Sequence, residues 1–190
     1  MNKEIIVGVL ALQGDFFEHQ RILSRMGVVS IQVRNKSDLD KCSALIIPGG
    51  ESTTMANLLS RADLAFKIKK RVKKGMLFYG TCAGAILAAK KVIGENRFKP
   101  LALIDVDIKR NAYGRQADSF ETEIEVSGKK INGIFIRAPV ISRAGKKVEV
   151  LARVDNNPVL VKHKNVLLGT FHPESDDEIF VHELFLAMFK

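Results

Sequence analysis

The chain has 190 residues, 46% of them apolar and 27% charged, which excludes disordered, collagenous and low-complexity classes. A chain this long buries roughly 70% of its unfolded surface, so it needs no disulfide framework or structural metal, and one domain over residues 1–190 is expected. Thirty Lys and Arg against 21 Asp and Glu leave a net charge of +9, which raises nucleic acid, membranes and acidic partners as candidates.

The first half alternates strand and helix signals. Ile5 to Leu12 is an apolar, β-branched run suited to a strand buried on both faces. It is far short of the ~20 residues of a membrane span. The preceding Met-Asn-Lys-Glu and the lack of a small-residue cleavage site do not fit a signal peptide, so a cytoplasmic protein is expected. Phe16, Ile22, Leu23 and Met26 recur at helical spacing, with Gly27 as the stop. Within that stretch His19 reads as a surface histidine. Val28 to Val33 and Ala44 to Ile47 are further strands, the second ending in Pro48-Gly49-Gly50. A helix follows from about Ser52, a natural N-cap.

Next, Leu64, Ile68 and Val72 mark a helix closing on Gly75. Its cations Lys67, Lys69, Lys70, Arg71, Lys73 and Lys74 read as a solvated face favoured by the helix dipole. No aromatic residue interleaves with them to stack bases, so no nucleic-acid partner is expected. Met76 to Tyr79 is a fourth strand, followed by Gly80-Thr81-Cys82-Ala83-Gly84 and a helix through about Lys90. Strand–helix alternation of this kind gives a parallel sheet flanked by helices.

The second half reads as short strands: Leu103–Ile108, Phe120–Val126, Ile131–Ile136, Val148–Val154 and Val159–His163. Asp155-Asn156-Asn157-Pro158 is a turn between the last two. These strands are expected to add antiparallel pairing to the parallel core. Val166 to Phe171 returns as a buried strand, and Asp176 to Phe189 carries Ile179, Leu184, Phe185 and Met188 at helical spacing, with His182 again reading as a surface residue.

Two cysteines are too few for a zinc site or a disulfide framework. Cys42 reads as a structural thiol. Cys82 sits in strand, Gly-x-Cys-x-Gly, helix, the layout of a nucleophile elbow. That turn is so tight that small residues must stand two before and two after the nucleophile, as Gly80 and Gly84 do. A helix N-terminus favours anions and hence a thiolate, and the Ala83 N–H is placed to donate to an oxyanion. The bland reading is a buried cysteine in a glycine-rich turn.

A cysteine nucleophile usually needs a base. His163 lies at a Lys-rich strand end. His172 follows a buried strand directly, where open α/β sheets place their sites, and Glu174 two residues on can fix its tautomer. A turn histidine beside a helix-capping Glu is the alternative. At Pro48-Gly49-Gly50-Glu51-Ser52-Thr53, side-chain-free backbone can approach a ligand, and Gly50 offers a second oxyanion N–H. With no P-loop lysine and no G-x-G-x-x-G, a nucleotide reading of these glycines is poor.

Pro-Gly-Gly-Glu, Gly-Thr-Cys-Ala-Gly and Phe-His-Pro-Glu, in this order and over essentially the whole chain, resemble the class I, triad-type glutamine amidotransferases. Gly8-Val9-Leu10-Ala11-Leu12-Gln13-Gly14, Pro48-Gly49-Gly50-Glu51-Ser52-Thr53-Thr54-Met55, Arg110-Asn111-Ala112-Tyr113-Gly114-Arg115-Gln116, Asp118-Ser119-Phe120 and Phe135-Ile136-Arg137-Ala138-Pro139 are similar to the glutaminases that serve pyridoxal 5′-phosphate synthesis. Ala112-Tyr113 stands where that branch carries Ser-Phe. The resemblance implies a three-layer, flavodoxin-like α/β fold with a mostly parallel central sheet and added antiparallel strands. It implies Cys82 as nucleophile, His172 and Glu174 as its partners, and Gly50 and Ala83 as the oxyanion hole. Gly50, Glu51, Ser52, Arg110, Ile136 and Arg137 would line the L-glutamine site, an arginine meeting the substrate carboxylate and Glu51 its ammonium; the alternative for the two arginines is a structural ion-pair role. Gln13 would help order the oxyanion turn when the partner docks. That partner would be a (β/α)₈-barrel synthase subunit in a hetero-oligomeric complex. No cofactor, metal, nucleic acid or membrane is implied.

Three rival readings remain at this level. One is the glutaminase of another amidotransferase, such as imidazole glycerol phosphate synthase. A free-standing cysteine hydrolase of related fold would not need Phe-His-Pro-Glu or Pro-Gly-Gly-Glu-Ser. A decayed, purely regulatory homologue would lack a triad member, and all three are present.

Overall fold

A computed structural model describes residues 5–110, 119–176 and 178–189. Strands β1 (Val7–Leu10), β2 (Ser30–Val33), β3 (Ala44–Ile47), β4 (Leu77–Thr81) and β12 (Val166–Gly169) pair in parallel in the order β12-β4-β3-β1-β2. β11 (Asn157–His163) joins β12 antiparallel, and β10 (Glu149–Val154) joins β11, completing a seven-stranded sheet.

Two further small sheets stand apart from it. β5 (Ala89–Ile93), β6 (Ile104–Lys109) and β9 (Val140–Ala144) form one, and the hairpin β7 (Ser119–Val126) with β8 (Lys129–Ile136) forms the other. The expected antiparallel additions are therefore divided: only β10 and β11 extend the parallel core.

Alternation along each parallel strand splits the core between two faces. Leu45, Ile47 and Phe78 pack with α2 (Lys36–Asp40), α3 (Ser52–Arg61), α4 (Leu64–Lys73), α5 (Ala83–Ala88) and the three-stranded sheet, through Leu39, Met55, Ile68, Ile86 and Val106. Ala44, Ile46 and Tyr79 pack on the other face with α1 (Phe16–Arg25), α6 (Phe180–Leu186) and the β7–β8 hairpin, through Leu23, Phe185 and Phe135. Strands sandwiched this way must be apolar on both sides, which is why they read as continuous apolar runs.

Several boundaries differ from the sequence expectation for local reasons. α5 stops at Ala88, because Leu101 and Leu103 N–H groups donate to the Leu87 and Ala88 carbonyls and Ala89 turns extended (φ −56, ψ 155). The turn between β10 and β11 is only Asp155-Asn156, both at positive φ, and Asn157 and Pro158 already belong to β11. A 3₁₀ turn over Pro173–Asp176 separates β12 from α6, which begins only at Phe180. The basic helix α4 buries Leu64, Ile68 and Val72 as expected, while Arg71 donates to the Leu39 and Cys42 carbonyls and Lys67 to the Lys36 carbonyl. Among the described residues no helix is long and apolar enough to cross a membrane.

Candidate active site

Four parallel strands, β1, β3, β4 and β12, end on the same edge of the sheet, and the loops leaving them carry Gln13, Gly50, Cys82 and His172. A carboxyl-end cleft is the place where open α/β sheets hold their ligands. Here it is a cavity of about 560 Å³ lined by Gln13, Asp15, Gly50, Glu51, Ser52, Cys82, Ile86, Arg110, Ile136, Arg137 and His172.

Cys82 joins β4 to α5 at φ 46 and ψ −101, a strained conformation for a residue with a side chain. Its N–H donates to the Gly169 carbonyl of β12 (2.9 Å), and its carbonyl accepts from Ile86 N–H (3.1 Å). The flanking glycines are required by space. A Cβ on Gly80 would stand 2.7 Å from the Gly84 carbonyl carbon, and one on Gly84 would collide with the Ile47 carbonyl oxygen. Ala83, the first residue of α5, is fully buried.

His172 is buried beside Cys82 on the cavity wall, and its Nδ1 lies 2.9 Å from Glu174 Oε1. Burial disfavours an imidazolium, but the contacts with Cys82 and Glu174 outweigh it and raise His172 to about 10. Glu174 is fully buried on the 3₁₀ turn; burial pushes its carboxyl up, and His19 and His172 together hold it down at about 2. The His172 N–H donates to the Ile134 carbonyl (2.8 Å), which ties this segment to β8 and brings Ile136 and Arg137, just beyond, to the cavity rim. Arg137 is exposed with φ +43.

The Pro-Gly-Gly turn rests on the loop after β1. Asp15 N–H donates to the Gly49 carbonyl (3.2 Å), and the Gln13 side-chain carbonyl accepts from Glu51 N–H (2.9 Å). Gly50 lies between them at φ +147, where a Cβ would stand 2.6 Å from Gln13 Oε1. The N-cap of α3 is Glu51 and not Ser52: its carboxylate accepts from Thr53 N–H (3.1 Å) and Thr54 N–H (2.6 Å). Those donors outweigh burial and lower Glu51 to about 2. Ser52, freed from capping, is buried with its Oγ unpartnered among the described residues, on the cavity wall. Arg110 spans Glu51 (3.1 Å), Thr53 Oγ1 (3.1 Å) and Glu95.

Residues 111–118, which hold most of the Arg-Asn-Ala-Tyr-Gly-Arg-Gln segment and Asp118, lie outside the described residues. His163 stands apart from the cavity, its Nδ1 2.7 Å from the Lys147 carbonyl. Cys42 is buried, and burial pushes its thiol up to about 11.

Two histidines were misplaced by the sequence reading. His19 and His182 are fully buried, not on the surface, because α1 and α6 turn these faces onto the sheet. The spacing held the signal: His19 is three residues from both Phe16 and Ile22, and His182 three from Phe185, on the apolar stripes themselves.

The profile of the SNO glutamine amidotransferase family matches residues 9–190. A Thermosipho africanus protein named pyridoxal 5′-phosphate synthase subunit PdxT is 47% identical, over 97% of this chain and 98% of its own. A Thermus thermophilus protein of the same name is 46% identical, over 96% and 97%. A crystal structure described as a glutamine amidotransferase superposes with a TM-score of 0.92 at 46% identity, covering 96% of this chain and 97% of that one. PurLQS from Thermotoga maritima shares the fold at a TM-score of 0.70 and 19% identity, over 99% of this chain and 100% of that one. The match runs from Val9 through the Pro-Gly-Gly turn, the cysteine elbow and the His-Pro-Glu segment, and the chain belongs to the SNO glutamine amidotransferase family.

Proposed function

We propose that this chain is the glutaminase subunit of a pyridoxal 5′-phosphate synthase, hydrolysing L-glutamine to glutamate and ammonia for a (β/α)₈-barrel partner subunit in a hetero-oligomeric complex. The observation that carries the chemistry is the line from Cys82 to His172 to Glu174, with the first two on the wall of a cavity that also holds an arginine pair and an unpartnered serine. The relatives' name supports the choice of partner.

In this reading the Cys82 thiolate attacks the carboxamide carbon, forming a C–S bond, and the Gly50 and Ala83 N–H groups receive the oxyanion. The His172 imidazolium, held charged by its two neighbours, gives its proton to the departing nitrogen as the C–N bond breaks. Neutral His172 then takes a proton from water, which cleaves the thioester to glutamate and regenerates the thiolate. Glu174 keeps the His172 Nδ1 proton in place throughout. Arg110 or Arg137 meets the substrate carboxylate, with Glu51 at its ammonium. Ammonia passes unprotonated to the partner. A cytoplasmic location goes with this reading, supported by two cysteines that are both free.

The test is glutamate release from L-glutamine by the purified chain mixed with a barrel subunit, together with pyridoxal 5′-phosphate absorbance. Glutamate release coupled to cofactor formation is expected. Absence of glutamate release in the assembled complex overturns the reading.

A further inference from the structure

Directly behind Glu174 lies a second group of buried titratable side chains that hydrolysis as written above does not use. His19 of α1, His182 of α6 and Thr81 at the end of β4 are all fully buried. His19 Nδ1 lies 2.9 Å from His182 Nε2, while His19 Nε2 lies 3.1 Å from Thr81 Oγ1 and 3.5 Å from Glu174 Oε1. Tyr79 packs edge-on against both imidazoles, with ring centroids 6.1 and 5.6 Å away.

The charge on Glu174 selects between the tautomers that these ring contacts allow. Burial lowers both imidazoles, His182 to about 3, so the pair is neutral near pH 7. A neutral imidazole carries one N–H and one lone pair. A lone pair on His19 Nε2 would face the ionised Glu174 oxygen repulsively, whereas a proton there is attracted. With the proton on Nε2, Nδ1 is an acceptor, and His182 Nε2–H donates to it. The result is a one-way chain from His182 through His19, whose Nε2–H is hydrogen-bonded to Thr81 Oγ1 (3.1 Å) and faces Glu174 Oε1 at the longer 3.5 Å. A lysine or arginine in this place would also hold the carboxylate, but it would cancel the negative charge that the His172 imidazolium needs. A neutral donor orients Glu174 and leaves its charge available. Glu174 Oε2 has no partner among the described residues, so the contacts at Oε1 govern the carboxylate's orientation.

We propose that His19 is a positioning residue for glutamine hydrolysis: its Nε2–H, with the tautomer set by His182, holds the Glu174 carboxylate against His172 Nδ1. The proposal rests on the glutaminase reading above. Loss of the His19 donor frees Glu174 to swing from His172 and makes it easier to protonate. The other titratable groups facing this cluster among the described residues are His172 on Glu174's own segment, Asp15 ahead of α1, Glu18 on α1, Tyr79 on β4 and His182 on α6.

The test compares His19→Gln, His19→Asn and His19→Leu, each assembled with the synthase partner, with Cys82→Ala as control. Glutamine places an amide nitrogen near the Nε2 position and asparagine near Nδ1, so only the first can still donate to Glu174. The Leu and Asn variants are expected to lower kcat about tenfold or more with KM within about twofold, and to move the acid limb of the kcat profile to higher pH. The Gln variant is expected to recover most of the rate. If the Leu variant does not fold, as judged by thermal melting, the Gln–Asn pair decides alone. Wild-type kcat in both the Leu and Asn variants, or equal kcat in Gln and Asn, overturns the proposal. Absence of hydrolysis in the wild-type assembly overturns the glutaminase reading and this proposal with it; hydrolysis that survives Cys82→Ala overturns the cysteine mechanism that His19 would serve; hydrolysis lost there but unchanged in the His19 variants overturns only the positioning role.

Discussion

Arg110 and Glu51 pair with each other at 3.1 Å across the mouth of the cavity. The resemblance assigns them opposite ends of one substrate, yet in the structure they form an ion pair with each other. Arg110 also bonds Thr53 and Glu95, so it braces α3 against the segment after β5. Arg137 has no ion-pair partner among the described residues. The two arginines should therefore separate on substitution. Arg137→Ala is expected to raise the KM for glutamine about tenfold or more with an almost unchanged Tm. Arg110→Ala is expected to raise KM and also to cost about 2 kcal/mol of stability, since Glu51 and Glu95 each lose a charged donor. Steady-state kinetics beside thermal melts check both, and an unchanged KM in Arg137→Ala would remove it from the substrate site.

The two cysteines differ by environment, and their substitutions should differ accordingly. Cys82 lines the cavity beside His172, whereas Cys42 packs under β1 with its thiol donating to the Asp38 carbonyl (3.3 Å). Cys82→Ala is expected to lower kcat by about 10⁴ or more, with little change in Tm because the strained backbone is kept. Cys42→Ser is expected to leave kcat unaltered. A glutamine-mimicking electrophile followed by peptide mass mapping should label Cys82, and label on Cys42 alone would refute the elbow assignment.

The parts of the site written in short local signals were legible in the sequence. Pro48-Gly49-Gly50 and Gly80-Thr81-Cys82-Ala83-Gly84 each follow an apolar strand, so the glycine-rich turns register locally, although the contacts that demand Gly49 and Gly50 come from His172 and Gln13 on other loops. What was not legible depended on partners distant in the chain. β9 reads Val-Ile-Ser-Arg-Ala, which lacks a clean alternation, because Arg143 bonds Asp105 and Asp107 on β6 and Ser142 bonds the Asp107 carbonyl. α2 is a five-residue helix, too short for periodicity to register, and is held by Asn35 capping Ser37 and Asp38. His19 and His182 read as surface histidines on amphipathic helices, since two of the groups that enclose His19, His182 and Glu174, lie over 150 residues from it in the chain.

Stability should peak near pH 6.5 and fall on both sides. His182 is lowered to about 3 from an ordinary 6.5, so below pH 6.5 the unfolded chain takes up a proton that the folded chain refuses. That limb costs about 1.4 kcal/mol per pH unit. Glu174, lowered from 4.5 to about 2, adds to the loss as pH falls below 4.5. His172 is raised to about 10, so its contribution is complete below 6.5 and drains away as pH rises toward 10. Melting temperatures across this range check the shape. His182→Gln should flatten the acid limb and His172→Gln the alkaline one, and identical pH profiles in wild type and both variants would contradict these assignments.

The isolated chain is expected to be a weak glutaminase that its synthase partner activates. The motive is the way the oxyanion turn is held. Gly50 sits at φ +147, and a peptide beside glycine rotates at low steric cost. Two hydrogen bonds from the loop after β1 fix this turn: Asp15 N–H to the Gly49 carbonyl, and Glu51 N–H to the Gln13 side chain. One restrains the peptide before Gly50 and the other the peptide after it. Whatever shifts this loop therefore shifts the turn, and a docking partner needs differential contacts of only a few kcal/mol to favour one arrangement. Adding the partner is expected to raise kcat for glutamine about tenfold or more. Gln13→Ala should cut that gain while leaving partner affinity nearly unchanged, because Gln13 lines the cavity and acts on the turn. Titration of the partner by calorimetry, beside glutamate release with and without it, separates the two effects. Full activity in the chain alone, unaltered by the partner, would refute the coupling, and an equal loss of affinity and activation in Gln13→Ala would make Gln13 a docking residue and not a link to the oxyanion turn.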